Sequence, residues 1–283
     1  MKPIIKWAGG KHRLINELTN NASSISQDNT YYEPFIGGGS LFLHLQPRKW
    51  VINDTNPNLI NVWEKIKDDP NGLCENLDVL VEEYKNSNDK KQTYIDKRAL
   101  YNENIKNKEY GNITQAALFV FLNKTCFNGI YRVNKAGFFN VPWNKNENPF
   151  FFDGDAIKQI SSYMNETIGQ IKCCGWEDAI EDISKDDFVY LDPPYYPENK
   201  TSFTTYTNDT FKVDEHEELA RKIIELDRKG VNVMLSNSNV QQVRVLYSSF
   251  YITDVSVSRS ISCKKEKRGR KDCELIITNY LKI

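Results

Sequence analysis

The 283-residue chain has no run of 18 apolar residues and no signal-peptide pattern, which excludes a membrane span and a secreted class, so a cytoplasmic protein is expected. Its six cysteines, at 74, 126, 173, 174, 263 and 273, are too few and too irregular for a disulfide framework, and reduced thiols follow. No Cys-x-x-Cys occurs and His12, His44 and His216 stand far apart, so no metal site is expected. Gly9-Gly10-Lys11-His12 is not a nucleotide P-loop, because position 5 is Ile and the residue after Lys11 is His. The pyrophosphate fingerprint G-x-G-x-x-G is missing too, and no internal repeat is visible. With 40% hydrophobic and 27% charged residues, the chain reads as an ordinary globular protein and disorder drops out.

An excess of either sign of charge is also lacking, since the formal net charge is −1. An even spread would argue against a polyanionic partner. The neutrality is a cancellation: +2 over residues 1 to 62, +1 over 63 to 149, −9 over 150 to 255 and +5 over 256 to 283. Residues 110 to 146 contain no Asp or Glu but carry Lys124, Arg132, Lys135 and Lys145. Residues 256 to 271 hold seven basic residues against Glu266 alone. Both stretches could face phosphates, or be solvated loops with scattered cations.

What is present reads first as α/β. A helix is predicted from Lys11, an apolar segment from Tyr31 to Phe35 runs into Gly37-Gly38-Gly39, a helix spans Ser40 to Leu45, and a strand at Trp50 to Ile52 ends in Asn53-Asp54. Residues 57 to 105 place apolar side chains three or four apart among many charges and read as amphipathic helices. Another helix is predicted over 112 to 123, followed by an aromatic, Asn- and Gly-rich loop region to about 150. The α/β pattern resumes with a strand at Phe188 to Leu191, a helix over 214 to 228, a strand at Val231 to Leu235 and a helix over 239 to 247. Alternating runs at 250 to 258 and 274 to 281 should pair as a hairpin. Strands alternating with helices predict a doubly wound sheet, and the helical interruption predicts an inserted second domain.

Two clusters carry chemistry. Glycines at a strand-to-helix turn let backbone amides approach a cofactor, and an acid on the next strand, Asp54, can accept both hydroxyls of a ribose. Without the pyrophosphate spacing, an adenosine cofactor other than NAD is preferred. Asp192-Pro193-Pro194-Tyr195 is the sharper signal, arising by chance in roughly one chain of this length in a few hundred. Two prolines make a rigid turn with free carbonyls. A carboxylate and a carbonyl can then each accept a hydrogen bond from an amino group on a planar ring, while the aromatic side chain stacks on that ring.

Lys6-Trp7-Ala8-Gly9-Gly10-Lys11, Glu33-Pro34-Phe35-Ile36-Gly37-Gly38-Gly39-Ser40, Asn53-Asp54 and Asp192-Pro193-Pro194-Tyr195, in that order, resemble the Dam-type (D12 class, alpha group) DNA adenine-N6 methyltransferases. The likeness extends over nearly the whole chain. It includes Leu122-Asn123, Phe127 to Asn134 and Phe139-Asn140-Val141-Pro142, which resemble the recognition hairpin, and Ser258 to Ser262, which resemble the C-terminal hairpin. The resemblance implies a Rossmann-like S-adenosylmethionine-dependent methyltransferase sheet, with residues 1–60 and 151–283 as catalytic domain and 61–150 as an inserted, mainly helical target-recognition domain.

By the same resemblance Trp7, Lys11, Phe35, Gly37, Asp54 and Asp192 line the S-adenosylmethionine site, and Asp192, Pro193 and Tyr195 are catalytic. Double-stranded DNA is the implied partner, GATC the expected target, and a monomer the expected state. Phe127, Asn128, Ile130, Arg132, Asn134, Pro142 and Lys145 would meet the bases or nearby phosphates, with Arg132 reading a guanine edge. Lys264, Lys265, Lys267 and Arg268 would follow the duplex backbone. Lys145 stands where the family often has Gly-Arg, and a lysine cannot make the same forked contact. Thr201 to Tyr206 reads either as a loop over the target base or as an ordinary surface loop. Cytosine-C5 chemistry is excluded, since none of the six cysteines follows a proline. Cytosine-N4 enzymes more often have Ser at the position of Asp192. An RNA or protein amide methyltransferase, or a DNA-binding module without catalysis, are the readings left beside the first.

Overall fold

The structure is a computed structural model that describes residues 1–22, 26, 28–197, 211–258 and 271–281. The helices are α1 (Ile15–Asn21), α2 (Ser40–Leu45), α3 (Pro57–Asp68), α4 (Pro70–Asn86), α5 (Lys90–Lys106), α6 (Ile113–Thr125), α7 (Gly154–Glu166), α8 (Trp176–Ala179), α9 (Val213–Lys229) and α10 (Gln241–Leu246). The strands are β1 (Thr30–Glu33), β2 (Lys49–Asn53), β3 (Ile168–Lys172), β4 (Phe188–Leu191), β5 (Asn232–Ser238), β6 (Tyr251–Ser258) and β7 (Lys271–Thr278). They form one sheet of order β3-β2-β1-β4-β5-β7-β6, parallel from β3 to β5, with β7 antiparallel between β5 and β6. This is the Rossmann-like, doubly wound α/β sheet expected. Its strand order reverses between β1 and β4, which makes the crevice beyond their carboxyl ends the natural ligand site. The glycine turn leaves β1 and Asp192 leaves β4, so the two sequence clusters open into one crevice.

Local chemistry explains the frame. β4, Phe188-Val189-Tyr190-Leu191, is buried at every position, as a parallel strand covered on both faces must be. Helices α3, α4, α5, α6 and α7 each start behind an Asn or Asp whose side chain accepts from amides of the first turn, and α3 and α4 also have Pro in that turn. Helix α6 is buried on nearly all sides, so other helices must surround it. It sits against α3, α4 and α5.

All of α3 to α7 lies in the crossover from β2 to β3. One apolar cluster runs from Tyr31, Phe42 and Trp50 at the sheet through Trp63 on α3 to Leu77, Phe121 and Phe151. The segment 127–145 is an irregular arm touching itself through two isolated bridges, Cys126 with Trp143 and Val133 with Phe139. Helix α5 clasps it: the Tyr94 hydroxyl and Arg98 Nη1 donate to the Val141 carbonyl at 2.6 and 3.0 Å, and Asn102 pairs with both backbone groups of Phe139 at 2.8 and 3.0 Å.

Sequence reasoning passed over α7 and β3. Strand β3 is exposed or half-exposed along its length, so it carries no apolar run. Its Gly169 is required because any Cβ there would overlap the Trp50 indole of β2. Strand β5 runs on through Ser236-Asn237-Ser238, where a hydrophobic pattern could not follow it.

Candidate active site and nucleic-acid interface

The Asp192-Pro193-Pro194-Tyr195 loop has few amide hydrogens of its own, and its neighbours hold it. Asn237 Oδ1 accepts the Tyr196 amide at 3.0 Å, and Ser238 Oγ donates to the Tyr196 carbonyl at 2.7 Å. Both anchors come from the polar end of β5, which explains why a strand this apolar finishes in Ser-Asn-Ser.

Lys11 is 6% exposed and reaches this loop from the N-terminal segment. Its Nζ lies 2.8 Å from Asp192 Oδ1, donates to the Gly9 carbonyl at 2.7 Å, and stands 4.7 Å from the centre of the Tyr195 ring. Burial raises the Asp192 carboxyl above its ordinary range, with Lys11 opposing the shift and Glu274 adding to it. The Tyr195 hydroxyl donates to Glu274 Oε2 at 2.7 Å. Burial, then Asp192 and Glu274, push that phenol far up, so it keeps its proton and acts as a donor.

Beneath them lies Glu33, the last residue of β1 and 3% exposed. Tyr31 donates to Glu33 Oε2 at 2.6 Å. Burial pushes its carboxyl up to about 8, partly offset by Tyr31 and the Phe42 amide, so Glu33 holds a proton at neutral pH. Sequence reasoning quoted Glu33 as part of a motif without a role and missed Glu274, Asn237 and Ser238. For Glu33 the available signal was an acid inside an otherwise apolar strand.

Of the residues expected at the cofactor, Trp7, Gly37 and Asp54 meet at the glycine turn. Gly37 has φ +45 and a Cβ there would come within 2.5 Å of the Trp7 indole, so the turn admits glycine alone. Asp54 follows β2 and turns its carboxylate back onto this turn, accepting the Gly37 amide at 3.3 Å and the Asn56 amide at 3.0 Å. Burial lifts it to about 6 against the pull of these amides. Trp7 also stacks on Tyr131 and Phe119, at 5.8 and 6.2 Å between ring centres, tying the turn to α6 and the arm. Phe35 meets Phe211 edge-on at 6.0 Å. A glycine turn packed under Trp7, with the two carboxylate oxygens of Asp54 at its rim, offers acceptors that suit a ribose-bearing cofactor.

The arm presents the predicted DNA residues unevenly. Phe127 is 51% exposed, at the start of a short turn that Asn128 closes in the left-handed region with φ 58. Arg132 is half-buried, its Nε donating to Asn140 Oδ1 at 2.8 Å and its Nη2 to the Asn140 carbonyl at 3.2 Å. Asn134 spends its side-chain oxygen on the Ala136 and Phe138 amides, both at 3.0 Å. Pro142 and Lys145 are exposed and Ile130 is half-buried. Asn123 knots the arm to the Lys11 segment, pairing with the Lys6 backbone at 2.8 Å in both directions and donating to the Gly129 carbonyl at 2.9 Å. Lys264, Lys265, Lys267, Arg268, the stretch 259–262 and the loop Thr201 to Tyr206 lie outside the described residues. Among the described residues no group of three or more His, Cys, Asp or Glu could hold a metal, and no helix is long and apolar enough to cross a membrane.

Fold and site together define an α/β protein with a ligand crevice at the switch point of its sheet. The chain belongs to the D12 class N6 adenine-specific DNA methyltransferase family, whose model matches residues 7–261. It is 39% identical to the type II methyltransferase M.MjaIII of Methanocaldococcus jannaschii, covering 99% of each chain. It is 38% identical to the type II methyltransferase M1.LlaDCHI of Lactococcus lactis subsp. cremoris, over 99% of this chain and 96% of the relative. A DNA adenine methylase of Haemophilus influenzae is 29% identical over 94% of this chain and 90% of its own length. The enzyme is therefore an adenine-N6 DNA methyltransferase that uses S-adenosylmethionine.

Proposed function

We propose that the enzyme methylates the adenine of GATC in double-stranded DNA, flipping that base out of the helix and into the cleft between the β1 and β4 loops. The observation that carries this reading is the single cluster of Lys11, Asp192 and Tyr195 beside the Gly37–Asp54 cradle. The Asp192 carboxylate and the Pro193 carbonyl accept hydrogen bonds from the adenine amino group, which orients its lone pair, and Tyr195 stacks on the ring. S-adenosylmethionine, when bound, supplies a sulfonium methyl for direct in-line transfer to that nitrogen, without a covalent enzyme intermediate. Trp7, Lys11, Phe35, Gly37 and Asp54 hold it, with Asp54 accepting the ribose hydroxyls.

Residues 61–150 are proposed as the target-recognition domain, with 1–60 and 151–283 as the catalytic domain. Arg132 reads a guanine edge with its forked guanidinium, Asn128, Ile130 and Pro142 lie near the bases, and Phe127 fills the gap left by the flipped base. Asn134 and Lys145 lie on the same arm, and Lys264, Lys265, Lys267 and Arg268 follow the duplex phosphates. The test supplies the protein with labelled S-adenosylmethionine and duplex DNA of mixed sequence and maps each methylated base. Label on adenine N6 within GATC is expected; label on cytosine, on RNA, or on adenines in another site would refute the respective part.

A further inference from the structure

We propose that Glu274 is a positioning residue for the transfer: its carboxylate fixes the Tyr195 ring at the angle needed to stack on the target base. This rests on the reading of Tyr195 as the stacking residue. The topology delivers the group. β7 is antiparallel to β5, with Glu274 paired to Ser238, so the start of β7 lies at the carboxyl edge of the parallel strands, where the Asp192 loop emerges. The strand needs no acid there, since Leu275, Ile276 and Ile277 behind it are buried in the sheet.

Three holds act on Tyr195. Asn237 and Ser238 pin the backbone of the next residue, Lys11 lies 4.7 Å from the ring centre, and Glu274 Oε2 takes the hydroxyl at 2.7 Å. Without the last, the hydroxyl end of the ring is free to swing within its χ1 well, carrying the whole ring with it, whereas the anchored hydroxyl fixes the direction of the ring axis. Lys11 over one face and the anchored hydroxyl together fix the plane of the ring on which the base would stack. Near-attack geometry is sensitive to such displacements, since a shift of about 1 Å can cost about a hundredfold in rate. Glu274 could instead act by its charge on Asp192, and the two routes separate by substitution. Gln keeps an acceptor at the same reach without the charge, whereas Asp keeps the charge and withdraws it by one methylene.

Single-turnover methylation of an adenine-containing duplex is compared for wild type, Glu274→Gln and Glu274→Asp, alone and in a Tyr195→Phe background, with thermal midpoints recorded, and in separate binding assays a duplex with 2-aminopurine in place of the target adenine serves as a stacking probe. Glu274→Gln should stay within about threefold of wild type, while Glu274→Asp should slow transfer about tenfold or more and brighten the probe, with little change in cofactor affinity. In the Tyr195→Phe background Glu274→Asp should add less than about twofold, because the hydroxyl through which it acts is gone. A slow Gln variant beside a fast Asp variant, or an Asp effect undiminished by Tyr195→Phe, overturns the proposal. A wild-type protein that methylates no adenine overturns the functional reading itself before any variant is compared.

Discussion

Asp54 offers a quantitative test of the cofactor cradle through pH alone. Its carboxyl stands at about 6 in the free protein because burial disfavours the charge more than the Gly37, Asn56 and Thr55 amides favour it. Ribose hydroxyls donate, so they bind the ionised form and draw the pKa down in the complex. Affinity should therefore be flat above the free-state value and fall as pH drops through it. With a free-state pKa near 6, about 90% of Asp54 is ionised at pH 7 and about 10% at pH 5, which predicts cofactor binding about tenfold weaker at pH 5, about 1.4 kcal/mol. The assay is calorimetric titration of S-adenosylmethionine between pH 5 and 8 in two buffers of different ionisation enthalpy. Binding at pH 6 should release a fraction of a proton, and Asp54→Asn should abolish both the release and the pH dependence. Affinity that is level from pH 7 to pH 5, or an Asn variant with the wild-type profile, would refute the assignment of Asp54 to the ribose.

Asp192→Ala should abolish methyl transfer while duplex binding in a gel-shift assay stays near wild type; normal turnover would sink the mechanism. Arg132→Ala should weaken discrimination against single-base variants of the site by about 1 to 3 kcal/mol in competition methylation. Asn140→Ala, which frees the Arg132 guanidinium, should do so in part. Gly169→Ala drives a Cβ into Trp50 at the β2–β3 pair and should cost about 1 to 3 kcal/mol in denaturant unfolding. Glu33→Gln should remove a pH dependence of stability. The wild-type carboxyl, raised to about 8, keeps its proton in the fold where the unfolded chain has lost it, so stability falls as pH rises from about 4.5 to 8. The Gln variant should gain on the order of 1 kcal/mol or more over wild type at pH 8 relative to pH 5.

The parts of the fold legible in the sequence are those where one local rule acts alone. The glycine turn after β1, the Pro-terminated β4 and the spaced apolar positions of α3 and α4 each announce themselves. β3 does not, because an edge strand with Gly169 fitted under Trp50 owes its place to pairing with β2 rather than to a pattern of its own. The candidate site divides in the same way. Asp192, Tyr195, Lys11 and Asp54 sit in motifs, whereas Glu274, Asn237 and Ser238 act by reaching across the sheet to a loop dozens of residues away in sequence. Only the antiparallel insertion of β7 brings Glu274 to Tyr195, and no spacing rule in one strand encodes that.

The charge distribution gains a physical meaning from the same topology. In the crevice burial raises the carboxyls of Glu33 and Asp192, Asp192 adds to the shift of Glu33 and Glu274 to that of Asp192, and Lys11 is the cation that opposes both. The acid-free stretch from 110 to 146, which holds α6 and the arm, is joined through Asn123 to the Lys6 backbone and through Trp7 to the glycine turn. Under the proposed function Arg132, Lys135 and Lys145 would lie along the duplex while the target base enters the crevice, whereas Lys124 is half-buried and burial lowers its ammonium to about 8. The net charge of −1 is the sum of 37 basic and 38 acidic residues spread unevenly along the chain.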